Sequence, residues 1–211
     1  MGRGTEAIAE GSTTEVNRSM AGPLETDAGL LARFVGGEAE AFDRLFLKYQ
    51  DYVYNICLGI LGNAEDARDC TQETFLQIHR AARSFRGQAQ LSTWIYRIAV
   101  NHCRGLLRKR PKTPPASLED PDFGEMPDPS PPPWRDVEQR AVGEEVREIV
   151  ARLPPDYRSA LVLRYFQELS YEEMMQILGW SLPQVKVKLH RARRAFAALY
   201  VKRPAAREEE R

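Results

Sequence analysis

The chain of 211 residues is long enough for one or two small domains, and its 30 basic and 30 acidic side chains balance to a formal net charge of zero. That balance hides a strong separation of charge, because residues 181–203 contain seven Lys or Arg and no Asp or Glu. The sequence has no long uninterrupted apolar run and no signal peptide, which argues against membrane-spanning and secreted classes. We therefore expect a cytoplasmic protein without direct membrane insertion.

The first part of the chain predicts a helical domain behind a disordered extension. Residues 1–27 are rich in Gly, Thr, Glu and Ala without periodicity, and Met20 is an alternative translation start within them. Apolar residues then recur at helical spacing, and no segment alternates apolar and polar residues over a useful length, so the predicted class is all-α. The first helix begins at Asp27 and ends before Gly36, the second ends before Gly62, the third covers 64–82, and the fourth covers 93–110 with Ser92 as N-cap.

A basic stretch with aromatic residues lies at the end of this domain. Residues 74–118 contain nine Lys or Arg and no acidic residue, and Phe85, Trp94 and Tyr96 are interleaved with them. Cations that follow a phosphate backbone, with rings that hold unstacked bases, are typical of a surface for single-stranded nucleic acid. The alternative is that part of the aromatic set belongs to the core.

A proline-rich segment separates this domain from a second one. Residues 111–133 hold nine of the 14 prolines and five acidic residues, which predicts an extended, acidic, semi-rigid linker. Two further helices are expected at 137–153 and 156–166, on either side of Pro154 and Pro155.

The second domain ends in a predicted helix-turn-helix. Ser170 followed by Glu173, and Ser181 followed by Gln184, predict two capping boxes, and only a short turn around Gly179 separates the two helices. The second helix is the basic one, which is the arrangement that places a helix in a DNA major groove. The alternative is a solvated basic face on an ordinary helical hairpin. The apolar stripe that would face the core consists of Leu182, Val185, Leu189, Ala192, Phe196 and Leu199.

The sequence gives no pattern for metal binding or catalysis. Cys57, Cys70 and Cys103 lie in predicted helices without ligand spacing, and we expect reduced, buried thiols and no metal site or cofactor. His102 beside Cys103 is not a ligand pair, since adjacent helix positions do not face one another. The three histidines are scattered, and no nucleophile motif or Gly-rich phosphate loop is present, so no enzyme is predicted.

Three stretches, in order and with the linker between them, resemble the signature regions of the extracytoplasmic-function group of bacterial sigma factors. The resemblance covers residues 28–198. The stretches are DARDCTQETFLQIHR at 66–80, FRGQAQLSTWIYRIAVN at 85–101 and LSYEEMMQILGWSLPQVKVKLHRARRA at 169–195.

The resemblance implies a two-domain initiation factor that binds the RNA polymerase core, reads promoter DNA at two boxes and helps to open the duplex. It also implies an anti-sigma factor as partner. The residues that match the family helix docking on the clamp of the largest polymerase subunit are Asp66, Asp69, Gln72 and Glu73. Those that match the segment reading and melting the downstream box are Phe85, Arg86, Trp94, Arg97, Asn101 and Arg104. In the recognition helix, the expected base contacts are Gln184, Val187, His190, Arg191 and Arg194, with Lys186 and Lys188 toward phosphates.

The recognition region departs from the family pattern at several positions. Val187 stands where a small polar residue is usual, so it can contact a thymine methyl but cannot donate a hydrogen bond. Pro183 replaces a usual Gly, which is tolerable in the first turn. Met175 replaces a usual Ala where the two helices pack closely, and Trp180 is bulkier than the usual aliphatic residue in the turn.

The resulting prediction is a promoter-specificity factor, with a free-standing helix-turn-helix regulator as the alternative. The regulator would explain residues 170–199 but not the acid-free stretch at 74–118. The predicted organisation is a disordered extension at 1–27, a sigma region 2-like domain at 28–110, a flexible linker at 111–136, a sigma region 4-like helix-turn-helix domain at 137–200, and a charged tail at 201–211.

Overall fold

The computed structural model describes residues 26–109 and 140–202, with the side chains of residues 140–144 excepted. Within these two ranges all the regular structure is helical, as predicted. The N-terminal extension, the Pro-rich linker and most of the charged tail lie outside the described residues. The helices are α1 (Asp27–Val35), α2 (Ala39–Leu61), α3 (Ala64–Ala81), α4 (Leu91–Lys109), α5 (Arg140–Ala151), α6 (Pro155–Leu161), α7 (Tyr171–Leu178) and α8 (Leu182–Val201), with a 3-10 turn at Ala82–Ser84 and a π-helical turn at Val162–Phe166.

Local capping signals set several helix ends in the first domain, which consists of α1–α4. The hydroxyl oxygen of Thr26 accepts a hydrogen bond from the backbone N–H of Gly29 at 3.1 Å and caps α1. The side-chain oxygen of Asn63 accepts from the N–H of Asp66 at 2.8 Å and caps α3. Gly62 closes α2 in the left-handed conformation with φ 83°, which a residue with a Cβ adopts only at a cost.

Helix α4 begins two residues earlier than the sequence predicts. It starts at Leu91, and the backbone N–H of Trp94 donates to the carbonyl oxygen of Gln90 at 3.2 Å. Ser92 therefore lies inside the first turn, and its prediction as N-cap is wrong. The physical reason is packing, because Leu91 is buried against the bundle when the helix begins there.

The core of the first domain forms around α2, against which α1, α3 and α4 all pack. Burial of each large apolar side chain of this core contributes about 1.5–3 kcal/mol to the free energy of unfolding. Tyr96 belongs to this core, with its ring centroid 6.2 Å from that of Tyr49, so it is not part of a surface for bases. The fully buried residues include Leu45, Val53, Ile56, Ile60, Ile78, Ile95 and Val100.

The second domain, α5–α8, differs from the prediction at one helix. The helix predicted at 156–166 is α-helical only as far as Leu161 and then widens into the π-helical turn. Pro155 occupies the first turn of α6, where its missing N–H costs little. The core residues are Leu161, Leu163, Met174, Ile177, Val185, Leu189 and Phe196.

The two domains pack directly against each other. Helix α4 contacts α7, and α2 contacts α5, α6 and the π-helical turn. The guanidinium Nη1 of Arg158 donates to the carbonyl oxygen of Ile60 at 3.2 Å, across the domain boundary. At Gly59 in α2, an added Cβ would lie 2.9 Å from Cγ2 of Val162, so this close approach requires a glycine. We call this packing the closed arrangement.

Candidate nucleic-acid and polymerase interfaces

The predicted apolar stripe of α8 is confirmed, and it orients the rest of the helix outward. Val185, Leu189, Ala192 and Phe196 are buried, while Leu182 and Leu199 are partly buried at the ends of the stripe. Among the predicted DNA-contacting residues, Gln184, Lys186 and Arg194 are exposed, and Val187, Lys188, His190 and Arg191 are partly exposed. The helix thus anchors on one side and presents a basic side to solvent.

Both predicted capping boxes are present, and one of them uses a predicted DNA contact. The N–H of Ser181 donates to Oε1 of Gln184 at 2.9 Å, and the N–H of Gln184 donates to the Ser181 hydroxyl oxygen at 3.4 Å. Because Oε1 of Gln184 accepts a hydrogen bond in this capping box, the side-chain amide nitrogen is the part of Gln184 that can donate to another group. The equivalent pair at Ser170 and Glu173 caps α7, and Gly179 adopts the left-handed conformation between the helices. The turn of the helix-turn-helix is therefore built as the sequence predicts.

The three departures around this turn have different consequences in the structure. Pro183 lies in the first turn of α8, where it is tolerated. Met175 is only partly buried, whereas its neighbour Met174 is fully buried in the core, so Met174 fills the space beneath α7. Trp180 packs partly buried against the core and contacts cations from both domains.

On the first domain, the predicted melting residues lie along α4 and the loop before it. Phe85 and Trp94 are half-buried, with ring centroids 5.4 Å apart at an interplanar angle of 55°. Arg86 and Asn101 are exposed. Arg97 is also on the surface, but its Nε donates to the carbonyl oxygen of Gln176 in α7 at 2.7 Å.

A charged cluster between the domains holds two more of the predicted DNA-contacting residues. Asp156 accepts a hydrogen bond from Nη2 of Arg104 at 2.6 Å and another from Nζ of Lys188. The indole of Trp180 lies against both cations, with its centroid 5.4 Å from Cζ of Arg104 and 4.7 Å from Nζ of Lys188. Lys188 therefore points at Asp156 in the closed arrangement and not at a phosphate site.

The carboxyl group of Asp156 is tuned by this cluster. Burial raises its pKa, but the hydrogen bond from Lys188 and the charges of Arg104 and Lys188 outweigh burial, so the pKa is held below its ordinary value. Sequence reasoning missed Asp156 and the linking role of Trp180. No local signal indicates them, because the partners are 52 and 32 residues away from Asp156 along the chain.

The predicted polymerase-docking face lies on α3. Asp69, Gln72 and Glu73 are exposed, while Asp66 is partly exposed, with its carboxylate accepting from the side-chain amide of Asn63. Leu76 is 50% exposed one turn further along the helix, a position that the sequence analysis did not single out. An acidic face beside an exposed leucine suits a basic protein partner with an apolar contact.

The three cysteines come together inside the first domain, which their spacing does not indicate. Cys57 lies on α2, Cys70 on α3 and Cys103 on α4, and all three Sγ atoms are within 4.8 Å of one another. Hydrogen bonds from the thiols of Cys103 and Cys57 lower the pKa of Cys70. Among the described residues, this is the group with the chemistry to hold a metal ion.

Comparison with known families matches both domains. The family Sigma-70 region 2 matches residues 45–113, and the family Sigma-70, region 4 matches residues 143–196. These matches define the class as a sigma-70 type transcription factor with a region 2 domain, a linker and a region 4 domain. None of the described helices combines the length and the apolar character needed to cross a bilayer.

Curated relatives define the family within this class. The RNA polymerase sigma-H factor of Pseudomonas aeruginosa is 35% identical over 182 residues, covering 82% of this chain and 92% of the relative. The ECF RNA polymerase sigma-E factor of Escherichia coli is 35% identical over 182 residues, covering 81% and 92%. The chain belongs to the extracytoplasmic-function (ECF) sigma factors of RNA polymerase.

Solved structures share the fold. The structure of CnrH in complex with the cytosolic domain of CnrY aligns with a TM-score of 0.61 at 23% identity, covering 83% of this chain and 97% of that chain. The sigma factor RpoE from Bartonella quintana, in complex with the anti-sigma factor NepR, aligns with a TM-score of 0.58 at 19% identity, covering 79% and 100%. Both likenesses support the two-domain helical architecture.

Proposed function

We propose that this chain directs the RNA polymerase core to its promoters by reading an upstream box with α8 and by opening the downstream box with α4 and the loop before it. The observation that carries the proposal is the orientation of α8. Its apolar stripe is buried, and its basic side, including Gln184, Lys186 and Arg194, faces solvent at the second position of a helix-turn-helix.

In the upstream box, the side chains divide into base-reading and backbone-binding sets. Gln184, through its amide donors, and Arg191 can bond base edges, while Val187 is restricted to apolar contact with a thymine methyl. His190 and Arg194 continue the same side of the helix. Lys186 is exposed on the flank and is suited to a phosphate.

In the downstream box, α4 supplies cations and a base-bonding amide. Asn101 is exposed, so its side-chain amide can bond an extruded base, and the half-buried pair of Phe85 and Trp94 can form the wall of a pocket. Arg86, Arg97 and Arg104 can neutralise the phosphates of the displaced strand. Because Arg97 and Arg104 contact the second domain in the closed arrangement, this function requires the two domains to separate.

The acidic face of α3 provides the contact to the polymerase. Asp66, Asp69, Gln72 and Glu73 would dock on the clamp of the largest subunit, and Leu76 would add an apolar contact at the same surface. The partial ion pair between Glu73 and Arg80, at 3.6 Å between exposed side chains, is weak and easily exchanged for a partner.

The same proposal covers partners, place and organisation. The CnrH and RpoE structures are complexes with CnrY and with an anti-sigma factor, and we infer an anti-sigma factor for this chain as well. The factor would act in the cytoplasm with the polymerase and would have no catalytic site, metal or cofactor needed for initiation. The domain bounds remain those predicted, with region 2 at 28–110 and region 4 at 137–200.

Runoff transcription with core polymerase on a randomised promoter library tests this function. The proposal expects transcripts that depend on the chain and share two boxes at a fixed spacing. A chain that fails to co-purify with core polymerase, yet footprints duplex DNA tightly by itself, would instead be a free-standing regulator.

A further inference from the structure

The three cysteines form a compact sulfur triangle in the core of the first domain. Cys57 and Cys103 are 0% exposed and Cys70 is 2% exposed, so no water competes for the sulfurs. The Sγ atoms of Cys70 and Cys103 are 3.5 Å apart, and all three lie within 4.8 Å of one another. Three helices each contribute one sulfur, so the triangle exists only when the bundle is folded.

The size of the triangle suits a central metal ion. Metal–sulfur bonds of about 2.3 Å place three sulfurs around a central ion about 4 Å apart, which lies within the spread of separations in this cluster. The group contains no fourth Cys, His, Asp or Glu among the described residues. The nearby hydroxyls of Thr71 and Thr74 donate to the carbonyl oxygens of Ala67 and Cys70 at 2.7 Å.

The donor set selects the kind of ion. Zinc in structural sites takes four ligands in a tetrahedron, and this dry triangle provides three. Thiolate ligands favour soft ions, and Cu(I) is a soft ion that three sulfurs in a plane can saturate. We propose that Cys57, Cys70 and Cys103 form a three-thiolate binding site for Cu(I).

The position of this site couples it to the surfaces of the protein. Its ligands tie together α2, α3 and α4, and two of these helices carry the residues proposed to dock on polymerase and to open DNA. This coupling rests on the proposed function, whereas ion binding itself does not. An ion bound across three helices stabilises the folded domain, because the unfolded chain separates the ligands by 13 and 33 residues.

Competition for Cu(I) tests the site directly. The full-length, reduced chain is titrated without oxygen against a chromophoric Cu(I) chelator. Alkylation followed by mass spectrometry measures the rate at which each thiol reacts in the metal-free and in the Cu(I)-loaded chain, because burial alone already slows alkylation. The expected result is one Cu(I) per chain, slower alkylation of all three thiols than in the metal-free chain, and a raised Tm. A wild-type chain that yields all its Cu(I) to the chelator, or that keeps Cu(I) while any of the three thiols reacts as fast as in the metal-free chain, would overturn the site.

Single substitutions define the ligands. Each of Cys57→Ala, Cys70→Ala and Cys103→Ala should weaken Cu(I) binding about 100-fold or more, and His102→Gln should bind as the wild type does. Loss of Cu(I) binding in the His102 variant would show that His102 is a ligand and would contradict the proposed set of three sulfur donors. Because a cysteine variant can fail to fold, thiol protection in the wild-type chain stands as the independent measurement.

Formation of a Cys70–Cys103 disulfide with an added disulfide oxidant, in a chain that retains no Cu(I), would indicate a redox pair in place of a metal site.

Discussion

Helices α4 and α8 both carry residues proposed to meet DNA, but the closed arrangement leaves them available to different degrees. On α8, Gln184, Lys186 and Arg194 are exposed to solvent. On α4, by contrast, Arg97 and Arg104 already bind groups of the second domain. The difference teaches that a surface for duplex DNA can be exposed in the free chain, whereas the surface for strand opening has to be released.

The contacts between the two domains are both polar and apolar. Asp156 joins Arg104 to Lys188, so one carboxylate holds a cation from each candidate DNA surface. Gly59 allows α2 to approach Val162 of the second domain closely. Because Asp156 and Lys188 both belong to the second domain, we expect separation of the domains to release Arg104 and to leave the pair of Asp156 and Lys188 intact.

The largest effect is expected for Asn101→Ala, which removes the proposed base-bonding amide from α4. Open-complex formation should fall about 100-fold, since holding an extruded base offsets an unstacking cost of a few kcal/mol. Permanganate reactivity of the melted strand and a core-binding assay measure the two steps separately. Core binding should be unchanged; its loss would mean that Asn101 has a structural role. Glu73→Ala on α3 is the complementary variant and should lower core binding instead.

The second prediction concerns Gly59, the glycine at which the two domains approach each other closely. Gly59→Ala places a Cβ against the stiff, buried side chain of Val162 and should weaken the closed arrangement by about 1–3 kcal/mol. Fluorophores on Leu47→Cys and Val201→Cys, two exposed positions in different domains, would report a longer average distance. Gly105→Ala in α4 is the matched control, because its Cβ meets nothing within 4 Å. Equal distances in both variants would argue against the contact.

Arg191→Ala sharpens the comparison from the side of α8. If Arg191 contacts a base, binding of the holoenzyme to the preferred upstream box should weaken by about 1–3 kcal/mol, with relaxed preference at one position. Lys186→Ala is the control and should weaken binding to all sequences alike while reducing its salt dependence. Binding measured on a set of single-base promoter variants separates the two results; a uniform loss with Arg191→Ala would assign it to a phosphate.

The smallest effect is expected from the Asp156 carboxylate. Burial raises its pKa, but Lys188 and Arg104 outweigh burial and hold the pKa below its ordinary value. The Arg104 contact exists only in the closed arrangement, so the ionised carboxylate favours closing and loses this contribution as the pH falls through the lowered pKa. Since the side chain is about a third exposed, Asp156→Asn should shift the closing equilibrium at pH 7 by about 1 kcal/mol or less. The same fluorophore pair measures the closing equilibrium of this variant. If the distance in Asp156→Asn equals that in the wild type at both low and high salt, Asp156 does not stabilise the closed arrangement.

Elements that follow local rules could be predicted from the sequence. The capping residues Ser170 and Ser181, the left-handed Gly179 and the apolar spacing of α8 are each set within a few residues, and the structure confirms them. The widening of the chain after Leu161 into a π-helical turn has no such local signal. The predicted start of α4 is wrong because burial of Leu91 outweighs the capping preference of Ser92.

The features that could not be predicted from the sequence depend on contacts between distant parts of the chain. The cluster around Asp156 joins residues from both domains, and the sulfur triangle joins three helices. Spacing rules for metal ligands apply to residues close in sequence, so they are silent about Cys57, Cys70 and Cys103. The roles of the surface residues on α3, α4 and α8 remain predictions from the family resemblance and from their exposure.

The distance between the two domains, measured before and after binding to polymerase, tests the central claim most directly. With fluorophores on Leu47→Cys and Val201→Cys, the free chain should show the short distance of the closed arrangement, and the holoenzyme on promoter DNA should show a longer one. A holoenzyme that forms open complexes while keeping the short distance would contradict the claim that α4 must be released.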